Sequence, residues 1–213
     1  MLLSEEKRKE ALRILSELYP NPKPELNFSS PFELLVAVML SAQCTDKQVN
    51  KVTAELFKVA NTPEKILALG EEKLMDMIHS CGFFRMKGKH ILETSRILVE
   101  KYGGEVPRDR DTLTELPGVG RKTANVVVSN AFHIPAIAVD THVFRVSNRI
   151  GLAEAKTVEK TEEQLMAHIP EADWTDAHHW IIFHGRQVCA AQRPKCAQCP
   201  LNQVCDFYTR KDS

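Results

Sequence analysis

Four of the six cysteines fall within seventeen residues near the C-terminal end: Cys189, Cys196, Cys199 and Cys205, spaced C-x6-C-x2-C-x5-C. Thiolates at that density point to a metal or an iron-sulfur cluster. Zinc accepts four thiolates in a tetrahedron, but its sites favour two close-spaced pairs, and here only Cys196 and Cys199 are so paired. A [4Fe-4S] cluster also takes four thiolates and tolerates uneven spacing, so the cysteines alone leave both readings open. A disulfide framework finds no support, because nothing else in the chain points to an oxidising compartment. Between Cys189 and Cys196 the chain reads AAQRPK, which sets Arg193 and Lys195 on a cross-linked loop suited to meeting phosphates at low entropic cost. Cys44 and Cys81 stand apart from this group and read as buried, inert thiols.

A second constellation begins at residues 116–124, LPGVGRKTA. A helix ending near Leu116 meets Pro117, turns through Gly118, Val119 and Gly120, and restarts with Arg121, Lys122 and Thr123. Two glycines permit positive φ and close approach to another surface, and the amides opening the next helix form an anion site with Arg121 beside it. A hairpin between two helices that grips a nucleic-acid phosphate is the sharp reading, and a tight helix connection the plain one. Eighteen residues beyond Lys122, the run VDTHVFR puts Asp140 where an N-cap belongs, ahead of a helix bearing Arg145 and Arg149. Taken alone, Asp140 needs to do no more than cap. With Lys122 it forms a pair in which a lysine attacks carbon and a carboxylate supplies charge and moves protons.

The elements expected to position these groups are almost wholly helical. Ser30-Pro31-Phe32-Glu33 offers an N-cap, a proline at the first helical position and a Glu three residues after the cap, opening an apolar stretch through Ala42. Thr62-Pro63-Glu64 repeats the signal for a helix to about Leu69. The run EEKLMDMIHS sets Leu74, Met77 and Ile78 on one face and stops at Gly82, and a further helix from about Met86 ends at Gly103-Gly104. Later helices are predicted near 109–116, 121–132, 141–150, 158–168 and 174–188. Strand signals are confined to AIAV at 136–139, too short to build a sheet. No repeat or low-complexity linker divides the chain, and the best break is His133-Ile134-Pro135. Two lobes with an active site between them are expected.

At 213 residues the chain is long enough for one or two domains with a real core. Hydrophobic content of 43% and charged content of 26% exclude a disordered or fibrous chain. No apolar run approaches the ~20 residues of a membrane span. The start, MLLSEEKRKE, is charged by its fifth residue and reads as neither signal nor transit peptide, so a cytoplasmic protein is expected. Lys plus Arg and Asp plus Glu balance at 28 each, but the charge is sorted along the chain. Residues 151–176 hold seven acids and two lysines, whereas residues 177–205 hold Arg186, Arg193 and Lys195 and no carboxylate. Residues 85–101 carry five bases against two acids. Converging basic stretches form the footprint of a polyanion binder; dispersed ones are solvated helix faces.

Taken together, LNFSSPFELLVAVMLSAQCTD, GEVPRDR, LPGVGRKTANVVV, AVDTHVFRVSNR and the four-cysteine loop resemble the endonuclease III family of helix-hairpin-helix DNA glycosylases, from about Asn27 to Tyr208. The resemblance implies an all-α fold of two helical lobes. One is a six-helix module at 22–132 whose hairpin occupies about 109–132; the other combines 1–21 with 133–213 and ends in a cluster loop at 189–205. It also implies a [4Fe-4S] cluster on Cys189, Cys196, Cys199 and Cys205 rather than zinc, Lys122 as the Schiff-base lysine and Asp140 as the catalytic carboxylate. The activity implied is that of a bifunctional DNA glycosylase/AP lyase of base excision repair, which removes oxidised pyrimidines and breaks the strand 3′ to the abasic site by β-elimination. Its partner would be double-stranded DNA bearing a damaged pyrimidine or abasic site, met by a monomer in the bacterial cytoplasm and on the nucleoid. By motif position, Gln43 and Phe83 would fill the gap left in the duplex, with an aromatic ring at 83 where the family pattern has an aliphatic side chain. Gly118, Val119, Gly120, Arg121, Arg145, Arg193 and Lys195 complete the expected DNA contacts.

Two other readings compete. A mismatch adenine glycosylase shares the hairpin and the cluster, but Lys122 holds the nucleophile position, SAQCTD offers no Glu to protonate a purine, and only eight residues follow Cys205. A non-enzymatic DNA-binding redox sensor would have no use for Lys122 and Asp140 together.

Overall fold

The computed structural model describes residues 1–210, and the last three residues of the expected second lobe lie outside them. Among the described residues there is no strand: the secondary structure is α1 (Glu5–Leu18), α2 (Pro31–Ser41), α3 (Asp46–Val59), α4 (Pro63–Leu69), α5 (Glu71–Ile78), α6 (Phe84–Tyr102), α7 (Arg110–Thr114), α8 (Arg121–Phe132), α9 (Thr141–Ile150), α10 (Val158–His168), α11 (Trp174–Gln187) and a last turn, α12 (Asp206–Thr209). None is long and apolar enough to cross a membrane. Contacts divide the chain into Pro24–Ile134 and a second unit made of Met1–Lys23 with everything from Pro135 onward.

In the first of these, α2 is the central rod. Ser30 caps it by accepting from the Glu33 amide at 3.2 Å, and Pro31 occupies the first turn, where its missing N–H leaves no bond unmade. The Glu33 carboxylate is itself buried and accepts from the amide and hydroxyl of Ser29 at 2.7 and 2.8 Å. Every residue from Phe32 to Leu40 is buried. A helix apolar on all sides must be surrounded, and α3, α6 and α8 pack on it while α6 also carries α4 and α5.

Helix α3 was absent from the pattern-based expectations. Its buried stripe is only Val49, Val52, Thr53 and Leu56, with a threonine in the middle, so the apolar periodicity is thin. The usable signal was Thr45, whose side chain accepts from the Gln48 amide, a cap followed three residues later by Gln.

The second unit packs α9 against α10, α11 and α12, with α1 on α11. Its core includes Leu15, Ile137, Val143, Val146, Ile150, Leu165, Ile181 and Leu201. Residues 136–139 are buried and form no strand, so the strand signal at AIAV reports burial rather than a sheet.

Candidate active site and cysteine loop

The turn between α7 and α8 is built around Gly118. Its φ is +75°, and a Cβ there would lie 2.6 Å from His90 Nδ1 of α6, so both backbone and neighbour demand glycine. The preceding carbonyl of Pro117 accepts from Thr94 Oγ1 at 3.0 Å, which fixes the turn to α6. Val119 turns inward and is buried, its amide donating to Leu116 O at 3.1 Å. Gly120 differs from the expectation of positive φ: at φ −89° and ψ 174° it is extended, with nothing within 4 Å of a would-be Cβ. Its contribution is therefore openness. It caps α8 without a side chain, so the positive end of the helix faces outward past a hydrogen atom alone. Arg121 and Lys122 follow as the first two residues of α8, both exposed.

Asp140 is the N-cap of α9. Its Oδ1 accepts from the Val143 amide at 2.7 Å while its carbonyl accepts from Phe144 N at 2.8 Å. The cap uses one carboxylate oxygen and leaves Oδ2 outside it. The half-buried side chain is thus held in one orientation by the helix it starts.

Gln43 and Phe83 share an uncommon backbone. Both are non-glycine residues in the left-handed region, at φ +52° and +58°, and Phe83 is 60% exposed. The loops that carry them abut, since a Cβ on Gly82 would sit 3.4 Å from Gln43 O. Each such residue stores of order 1 kcal/mol of strain that the surroundings must hold, a condition met most often at functional loops.

The four cysteines ring one cavity, closed on its other sides by Ile150, His184, Leu201 and Phe207 among others. Among the described residues no three His, Cys, Asp or Glu side chains converge on a single ion. Burial pushes the Cys199 thiol up to about 11 and raises Cys205 as well, with the other sulfurs adding to the effect. Thiols so placed ionise readily only against a cationic partner, so the donor set fits a bound metal or metal cluster.

Two arginines of α9 hold this loop. Arg145, expected at the DNA, is bonded to the loop: its Nε and Nη2 donate to Cys189 O at 3.2 and 3.0 Å, and Nη2 also donates to Gly185 O at 3.0 Å. Arg149 does the same one turn later, donating to Ala190 O at 2.7 Å and Ala191 O at 2.9 Å, with its guanidinium 5.0 Å from the Phe207 ring. Arg193 and Lys195 remain exposed on the loop, Arg193 at φ +50°.

His184 was missed by sequence reasoning. It lies between Tyr19 Oη at 3.3 Å from Nδ1 and Cys199 Sγ at 3.5 Å from Nε2, and burial lowers its pKa to about 4, keeping the ring neutral. The only signal was a histidine in an apolar stretch of α11 five residues before Cys189, which reads first as an ordinary core histidine.

Residues 36–171 match the family model described as HhH-GPD superfamily base excision DNA repair protein. The chain is 51% identical over 210 residues to endonuclease III of Escherichia coli (strain K12), covering 99% of this chain and 100% of that protein. It is 53% identical over 199 residues to endonuclease III of Bacillus subtilis (strain 168), covering 93% and 91% respectively. Among solved structures it is similar to a trapped endonuclease III-DNA covalent intermediate, an estranged-adenine complex, with TM-score 0.94, 47% identity and 100% of both chains covered.

Proposed function

The chain belongs to the HhH-GPD superfamily of base excision DNA repair proteins and, within it, to the endonuclease III family, and from that premise we propose that it is a bifunctional DNA glycosylase and AP lyase acting on oxidised pyrimidines in duplex DNA. The observation that carries the proposal is the placing of Lys122, exposed in the first turn of a helix whose start is uncapped by any side chain and preceded by the Gly118 turn. That arrangement offers a phosphate an anion site and offers the adjoining sugar an amine.

On this reading the phosphate backbone docks at the start of α8 and along the loop bearing Arg193 and Lys195. The damaged base leaves the stack at a cost of a few kcal/mol, reduced by the lesion itself, and Gln43 and Phe83 fill the vacated space. The neutral amine of Lys122 attacks C1′; the bond from C1′ to the base breaks, and the base departs with the electron pair and takes up a proton. The nitrogen then gives up a proton, its electron pair forms a C1′=N double bond as the C1′–O4′ bond breaks, and O4′ takes up a proton; the sugar ring is thereby opened to an imine, which acidifies C2′. Removal of a C2′ proton then expels the 3′ phosphate, and water releases the lysine. The Asp140 carboxylate stabilises the cationic sugar and assists proton transfer.

Cys189, Cys196, Cys199 and Cys205 would hold a [4Fe-4S] cluster, which when bound supplies a covalent cross-link for the 189–205 loop. A ring of thiols around a cavity suits a group of several atoms better than one zinc ion. Arg145 and Arg149 tie the same loop to α9, so Arg193 and Lys195 are presented on a braced segment.

The test is borohydride trapping on a duplex carrying one oxidised pyrimidine. The wild-type chain should give a covalent protein-DNA adduct and a nick 3′ to the lesion. Lys122→Ala should give neither while still binding the duplex, because phosphate contacts supply most of the affinity. Undiminished trapping by Lys122→Ala would overturn the assignment of the lysine, and no adduct from the wild-type chain would overturn the lyase reading.

A further inference from the structure

Lys87 is a lysine only 4% exposed, lying one turn into α6, and neither the hairpin nor the cysteine loop uses it. Its Nζ donates to Leu40 O at 2.8 Å and to Ala42 O at 2.6 Å, at the end of α2. These carbonyls sit where a helix runs out of partners and its dipole is negative, a place that favours a cation. The same residue's amide donates to Phe83 O at 3.1 Å, closing the first turn of α6. Lys87 is therefore bonded through its ammonium to the residue before Gln43 and through its backbone to Phe83.

Satisfying two carbonyls does not by itself call for a buried charge. Burial pushes the Lys87 ammonium below the ordinary lysine value, and an uncharged donor would avoid that desolvation. What a lysine on α6 adds is a tie between two loops that local capping cannot make. Both loops carry a non-glycine residue in the left-handed region, and they touch through Gly82 and Gln43 O. Strained conformations persist only where neighbours fix them, and here one residue serves both loops, its side chain bonded to the end of α2 before Gln43 and its backbone amide to Phe83.

We infer that Lys87 is a positioning residue for opening the duplex: it locks the Gln43 loop to the Phe83 helix start so that both side chains enter the DNA as one rigid wedge. This rests on the reading of Gln43 and Phe83 as the residues that fill the gap. Lys87 itself touches neither DNA nor the reacting sugar. A displacement of about 1 Å in such a pair is enough to cost on the order of 10²-fold in a step that depends on geometry.

The experiment compares two substrates for each variant of the cluster-loaded full chain: a duplex with one oxidised pyrimidine, which must be opened, and a single strand with one abasic site, which need not be. Lys87→Met should lower kcat/KM on the duplex at least tenfold while strand cleavage and borohydride trapping on the single strand stay within about twofold. Amide hydrogen exchange should quicken at residues 41–45 and 81–84 and not at 121–132, and Lys87→Arg should recover part of the duplex activity. Should Lys87→Met be too unstable to purify, Lys87→Gln, which keeps a donor, is read against Lys87→Arg in the same way. Equal losses on both substrates would reduce Lys87 to a general stabiliser and overturn the inference. Gln43→Ala and Phe83→Ala separate the two layers of the argument. If they lower the duplex-to-single-strand ratio and Lys87→Met does not, the inference about Lys87 fails alone. If all three leave the ratio at the wild-type value, the wedge reading has failed and takes the inference with it.

Discussion

Gly118 of the hairpin and His90 of α6 are packed so closely that a single methyl group at 118 would sit 2.6 Å from the imidazole Nδ1. With φ at +75°, any side chain there also forces an L-residue into the left-handed region, at about 1–2 kcal/mol. Gly118→Ala should therefore lower the melting temperature by roughly 2–8 °C, the range that such an energy implies for a chain of this size. Gly120, extended and unobstructed, should behave otherwise. Gly120→Val should melt near the wild-type temperature and yet bind an abasic duplex on the order of tenfold more weakly, because its Cβ would stand where a phosphate approaches. Unchanged binding by Gly120→Val would remove the phosphate from the start of α8.

Arg145 and Arg193 should separate cleanly in their effects. Arg145→Met leaves the carbonyls of Cys189 and Gly185 without their donor, and bonds of this charge-assisted kind are worth about 1.5–3 kcal/mol. The variant should lose the visible absorbance of the cluster at a lower temperature, with the salt dependence of DNA binding unaltered. Arg193→Ala should keep the absorbance and reduce the slope of log affinity against log salt by about 1. A reduced slope in Arg145→Met would return that residue to the phosphate contacts.

Where side chains carry their own local signal, the sequence was enough. Ser30-Pro31 starts α2, Thr62-Pro63 starts α4 and Asp140 starts α9, because each cap is a contact within three residues. The cysteine spacing was legible for a related reason: four ligands in seventeen residues cannot lie far apart. What stayed hidden depends on long-range packing. Arg145 reads as a free cation until the carbonyl of residue 189 is seen over it. Lys87 reads as one more surface base of α6, although its partner carbonyls lie 45 and 47 positions earlier in the chain. Gly118 and Gly120 look equivalent in LPGVGRK, and only the place of His90 shows that one is demanded by strain and the other by openness.

His179 links the second unit to acid stability. It is 7% exposed, and burial, followed by the neighbouring His178 ring at 5.0 Å, lowers its pKa to about 3. In the unfolded chain the ring takes its proton near 6.5, so below that pH the unfolded state binds a proton that the folded state refuses. This contribution is complete above pH 6.5 and is lost as pH falls towards 3, at up to about 1.4 kcal/mol per pH unit. His179→Phe, which keeps a ring and removes the proton, should move the acid-unfolding midpoint followed by circular dichroism to lower pH. An unmoved midpoint would show that other groups drive acid unfolding.

Asp140 is bound to the amide of Val143 at 2.7 Å, so every substitution there tests a cap and a proposed catalytic charge together. Asn and Ala separate the two. Asp140→Asn keeps an oxygen that can accept from Val143, and Asn ranks with Asp as an N-cap, so α9 and its buried face of Val143, Val146 and Ile150 should be retained with little change in melting temperature. It removes the negative charge, and with it the stabilisation of a cationic sugar, so turnover on an oxidised pyrimidine should fall by on the order of 10²-fold or more. Asp140→Ala loses both, adding roughly 1 kcal/mol of instability to the same loss of turnover. If Asp140 were only a cap, the order would invert: Asn near wild type in both assays, and Ala impaired in stability alone. Measuring turnover, imine trapping and melting temperature on both variants decides it, and a fully active Asp140→Asn would leave the carboxylate with nothing but its helix to start.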